Sequence, residues 1–180
     1  MISKKYLSDY KVEPYLDEKG RVRNKTTYVG VYYKYINDDK TRKNGALLYL
    51  LATIGVILSF VIPLSFKSEI ADLGYVVLPY AFVFLAIVFM IGAVFNVLTI
   101  KAPMIRENGE KINTRVSACP IIVIILEGFA LLASLVSAIF GVIAIGLYEI
   151  IFIIFMIFGI ASAILAFLLK KRLKTEPVNE

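Results

Sequence analysis

Hydrophobic positions in this chain are clustered. The first 45 positions are polar and basic, and nearly all apolar residues follow Gly45. One apolar run covers 46–66 and stops at Lys67-Ser68-Glu69, and a second covers 75–100 and stops at Lys101 and Pro103. From Ala118 to Leu169 only Glu127 and Glu149 are charged. A bilayer core takes roughly 20 helical residues to cross, whereas this last run as one helix would be about 78 Å long. It must fold back once, and Gly141, Gly146, Tyr148 and Glu149 mark the break. The pattern predicts an all-α membrane protein, a four-transmembrane-helix bundle with spans at about 46–66, 75–100, 118–142 and 147–169. Pro79 and Pro120 then fall in first turns, where a missing N–H is harmless.

Before Gly45 the period changes. Thr27, Val29, Val31, Tyr33 and Tyr35 alternate with Thr26, Tyr28, Gly30, Tyr32 and Lys34, as a strand does. Upstream, Lys11–Leu16 runs into Asp17-Glu18-Lys19-Gly20-Arg21, which suits a tight turn. A small β-hairpin is expected here, extending to a three-stranded meander. Such an element is marginal in water without a covering layer. The candidate covers are lipid headgroups, the 101–117 loop, or another protein, and Tyr28, Tyr32, Tyr33 and Tyr35 are the candidate docking residues. The plainer reading is a flexible basic tail whose tyrosines sit at the membrane interface. The 101–117 loop reads as a solvated turn between helix extensions, with Asn108-Gly109 as its turn signal.

Charge fixes the sidedness. Of the Lys and Arg residues, 11 lie in 1–45, four in 101–117, four in 170–180 and one in 66–74. An even number of spans puts the three basic segments on one side, and the positive-inside rule makes that side the cytoplasm. The expectation is a multi-pass cell-membrane protein with both termini cytoplasmic. It comprises a basic, Tyr-rich segment 1–45, a transmembrane domain 46–169 and a basic tail 170–180. The net charge of +6 reads as topology and contact with anionic lipid headgroups, and nucleic acid is not an expected partner.

Composition narrows the chemistry. The chain has no His and a single Cys, Cys119. A Ser-His-Asp triad, a His-ligated metal and a multi-Cys metal site are therefore excluded. No catalytic, metal-ligating or cofactor-binding set emerges, and the chain is not expected to be an enzyme.

The one formal charge deep within a span is Glu127, about 13 Å from the inner start of its helix. An ionised carboxylate there is costly. Three roles compete: a neutral acid hydrogen-bonded across helices, a contact with a partner protein, and a proton or cation carrier, ranked in that order. Counting equal depths on the other spans gives Gly55, Gly92-Ala93 and Gly159 to Ser162. Asn96, Thr53 and Ser162 are candidates to reach the carboxyl. Small residues at four-residue spacing, Ala130-Ser134-Ala138 and Gly159-Ala163, predict close helix packing.

The function these features favour is a non-catalytic accessory or scaffold subunit docking another integral membrane protein, such as a transporter complex. A small secondary transporter or ion pathway centred on Glu127 is the alternative. A membrane sensor or immunity-type protein is a third.

Overall fold

The computed structural model describes residues 4–16 and 21–178. Four helices carry the fold: α1 Asp39–Val61, α2 Gly74–Thr99, α3 Arg106–Ile139 and α4 Leu147–Leu173. Each is long and apolar enough to cross a membrane. They pack as a bundle in which each neighbours the next and α4 returns to α1.

The side-chain distribution is that of a bundle solvated by lipid. Small residues face inward, with Ala46, Ala52, Ala93, Ala130, Ala163 and Ala166 all buried. Tyr49, Tyr80 and Phe152 are buried between the helices, but many other large residues face outward, so that Phe95 is 67% exposed and Leu132 64%. In water that outer surface would be far larger than any apolar patch a soluble monomer tolerates. In lipid it is the favourable arrangement, because small residues let backbones approach.

The helix ends follow local chemistry. The Asp38 side chain accepts from the Thr41 N–H and starts α1 well before Ala46. Pro63 closes α1 by opening the 3-10 turn Pro63–Ser65. Gly141, at φ +69°, takes the left-handed conformation that ends α3, and Gly146 caps α4. The break expected in the last apolar run therefore lies between Ile139 and Leu147.

Two expectations are corrected here. Most of the 101–117 loop is helix, since α3 begins at Arg106 and Asn108-Gly109 lies within its first turn. Arg106–Glu110 (2.7 Å) and Glu107–Lys111 (2.6 Å) are i,i+4 pairs that support this polar extension. Pro120 is consequently interior to α3, and Pro79 is interior to α2, rather than in first turns.

The N-terminal segment also departs from the simple meander. β1 Tyr10–Leu16 and β2 Val22–Tyr28 pair antiparallel, Tyr10 opposite Tyr28 and Leu16 opposite Val22. The turn assigned to Asp17–Gly20 lies outside the described residues. The expected continuous strand over 26–36 breaks at Val29–Val31. Its second half, β3 Tyr32–Tyr35, joins a different sheet, in the order β4-β3-β5, with β4 Met104–Ile105 and β5 Thr175–Pro177. This sheet gathers the N-terminal segment, the α2–α3 connection and the C-terminal tail at one end of the bundle, here called the inner end. Both ends of the described chain thus lie on the same side of the bundle, as an even number of crossings requires.

Candidate functional site

At the inner end, the N-terminal segment caps helices that lack caps of their own. Helix ends leave backbone groups without partners, and neither Ile105 nor Ile100 can supply a side-chain bond to them. The Tyr28 hydroxyl accepts from the Arg106 N–H at 3.0 Å, at the start of α3, and donates to the Val31 carbonyl at 2.8 Å. The Tyr35 hydroxyl, at the other side of the connection, lies 3.0 Å from the Ile100 carbonyl and 3.4 Å from that of Val97. Asn37 donates to the Lys171 and Arg172 carbonyls at the end of α4, at 3.0 and 3.2 Å. The Tyr33 ring packs directly on Gly109. Asn113 holds β5 through both the N–H and the carbonyl of Thr175, at 2.8 and 2.9 Å. Of the four candidate docking tyrosines, Tyr28, Tyr33 and Tyr35 thus have partners within the chain. Tyr32 is the exposed member, edge-on to Tyr28.

The 3-10 helix Lys4–Asp9 is clasped to α3 through Glu110. Lys5 Nζ sits 2.5 Å from Glu110 Oε2, Arg106 Nε 2.7 Å from Oε1, and the Tyr6 hydroxyl 3.1 Å from Oε2. The hydrogen bond from Lys5, followed by that from Arg106, pulls the Glu110 carboxyl from 4.5 to about 2. A carboxyl lowered by folding contributes stability that is present above its unfolded value and lost as pH falls through its folded one. Hydrogen-exchange protection of residues 4–9 is therefore expected to hold above about pH 5 and to decay towards pH 2. In Glu110→Gln the protection should already be absent at neutral pH.

In contrast, the hairpin β1–β2 has no cover among the described residues. Its register puts Tyr10, Val12, Pro14 and Leu16 with Val22, Asn24, Thr26 and Tyr28 on one face, and Lys11, Glu13 and Tyr15 with Arg23, Lys25 and Thr27 on the other. Tyr10 and Tyr28 meet edge-on at the base. Towards the tip, Leu16 is 68% exposed and Val22 72%.

The second feature is the layer around Glu127, which is fully buried. All four helices contribute to it. Ser59 of α1 places its hydroxyl 3.1 Å from Glu127 Oε1 and 2.8 Å from the Val56 carbonyl. Tyr80 of α2 donates to the Ser59 carbonyl and lies 3.1 Å from that of Phe60. Gly159 of α4 sits against the carboxyl so closely that a Cβ there would meet both carboxyl oxygens and the Ser59 hydroxyl. Glu127 Oε2 has no hydrogen-bond partner among the described residues.

The residues proposed from equal-depth counting distribute differently. Thr53 turns back onto the Tyr49 carbonyl of its own helix at 2.8 Å, and Ser134 does the same onto Ala130. Ser162 packs against Gly55, one turn inward of Glu127 and Gly159. Gly92 faces the Arg115 guanidinium rather than Glu127. Asn96 is half-buried, a turn further inward, while Ala130 and Ala163 are buried in the bundle. Counting placed Gly159 of α4 beside Glu127 but missed on α1 and α2, because the apolar runs do not start level. Tyr75 meets Ser137 at 2.7 Å and Gly92 meets Arg115, so the α2 residues level with Glu127 lie near Tyr80 and Val83. Ser59 was missed, although it follows Gly55 by four on the same face of α1.

No three His, Cys, Asp or Glu among the described residues come together to hold a metal ion. Comparison with protein families, with characterised proteins and with solved structures finds no match.

Proposed function

We propose that this chain is a non-catalytic scaffold or accessory subunit of a larger assembly in the cell membrane. Its inner end, carrying both termini, faces the cytoplasm, and the hairpin β1–β2 is its docking element. The observation that carries the reading is the uncovered apolar face of that hairpin. An isolated two-stranded ribbon is marginal in water, and no described residue of the chain covers Val12, Leu16 and Val22. The positive-inside rule supports the orientation, since the inner end holds the basic segments. Glu127 has the geometry of a packing centre, because Gly159 leaves no room beside the carboxyl for even a methyl group.

The test exploits the pairing of Tyr10 with Tyr28. Residues 11–27 can be replaced by two glycines, which keeps the Tyr28 cap on α3. The shortened chain is expected to insert and purify as the full chain does, while losing a partner that accompanies the full chain at fixed stoichiometry in mild detergent. Retention of the partner by the shortened chain would refute the docking role. The unpartnered Oε2 of Glu127 favours a second reading, a proton- or cation-coupled pathway. Proteoliposomes holding the chain alone decide between the two. Coupled flux that disappears in Glu127→Gln would displace the scaffold reading.

A further inference from the structure

Where α3 and α4 reach the inner end they enclose a cleft of about 220 Å³, lined by Asn113, Val116 and Ser117 of α3 and by Lys170, Lys171 and Lys174. The spacing explains it. Positions 113, 116 and 117 share one helix face, as do 170, 171 and 174 on a continuation of α4. The α3 wall is fixed, because Asn113 is committed to the Thr175 backbone on both sides of its amide. The Lys170 ammonium lies 3.5 Å from the Phe167 ring centroid. Lys171 and Lys174 are exposed and have no ion-pair partner among the described residues. Glu176, the nearest acidic residue in sequence, is paired with Lys34 at 3.6 Å. Three lysine side chains and Ser117 therefore line a space large enough for a phosphate, with no carboxylate among the lining residues.

Its level in the bundle identifies the source of that phosphate. Ser117 immediately precedes the apolar stretch of α3, and Lys170 immediately follows that of α4. The cleft sits where hydrocarbon gives way to headgroups. The same two faces continue outward as Ile121 and Ile124 on α3 and Phe167 and Ile164 on α4, an apolar track of the kind an acyl chain follows. We propose that the cleft is a binding site for the headgroup phosphate of an anionic phospholipid. A lysine cluster at a helix end also complements the helix dipole and sets topology, but neither role needs a cleft walled by a second helix.

The experiment is native mass spectrometry of the full chain in mild detergent, titrated with phosphatidylglycerol or with phosphatidylcholine. Phosphatidylglycerol adducts are expected on the wild type at concentrations where phosphatidylcholine gives none. Lys171→Gln with Lys174→Gln should weaken them about 30-fold. Lys40→Gln with Lys43→Gln removes the same charge from exposed positions at the inner end and should leave them unchanged. Ser117→Leu fills the cleft with every charge kept, and should weaken them as the lysine pair does. Equal weakening by the two lysine pairs, or full binding by Ser117→Leu in monodisperse protein, would overturn the site in favour of diffuse attraction. Displacement of the lipid by millimolar inorganic phosphate would overturn the lipid assignment.

Discussion

Gly159→Ala is expected to destabilise the bundle by about 3 kcal/mol, the upper range for an overpacked core. The added methyl would land on both oxygens of Glu127 and on the Ser59 hydroxyl. None of these can retreat easily. The Ser59 hydroxyl is held on the Val56 carbonyl at 2.8 Å, and Glu127 is fully buried. Thermal unfolding in detergent measures the loss. The cause is tested by a double-mutant cycle. Glu127→Ala opens space where the methyl needs it, so Gly159→Ala in that background should cost much less than in the wild type. Equal costs in both backgrounds would mean that the close approach of α4 to Glu127 is not what Gly159 provides.

Gly109→Val should have an effect of similar size but a different reach. A Cβ at this position would lie 2.6 Å from the Tyr33 ring and 2.7 Å from the Tyr33 Cβ. Since the Tyr33 Cβ is rooted in β3, the strand itself must move. The Thr175 hydroxyl, which donates to the Gly109 carbonyl at 3.0 Å, goes with it. About 3 kcal/mol is expected to fall on the sheet β4-β3-β5. Hydrogen exchange should rise sharply at 32–35 and 175–177 while the outer halves of the helices keep their protection. Uniform loss across all four helices would show that the sheet and the bundle unfold as one unit.

The transmembrane part was legible in the sequence because lipid imposes a simple demand. Every helix must be apolar outside, so the runs ending at Lys67 and Lys101 stand out. In the long final run, Gly141 and Gly146 are the natural places to leave a helix. The depth of Glu127 within its own helix was readable for the same reason. Its neighbours were not, because they depend on how far each helix slides along the next. Nothing local in α2 reveals that Gly92 lies opposite Arg115. The inner end was harder still. Alternation over Thr26–Ile36 records which side chains share a face, but not which strand comes alongside. β3 pairs with the two-residue β4 and the three-residue β5, both too short to leave a pattern. The density of tyrosines was visible, but their use as caps was not, because a helix end lacking a cap can be recognised only after its boundary is known. The hairpin β1–β2 was readable because its partners are close in sequence.

The sheet at the inner end also orders events during synthesis. β3 leaves the ribosome before α1 to α4 have been made, whereas β5 follows all four, so at ordinary translation speeds the early strand waits on the order of 10 s for its mate. Until Thr175 arrives, Asn113 and one edge of β3 remain open to water and to proteases. A chain stopped after α4 would therefore carry all four apolar helices yet lack the strand that completes this sheet.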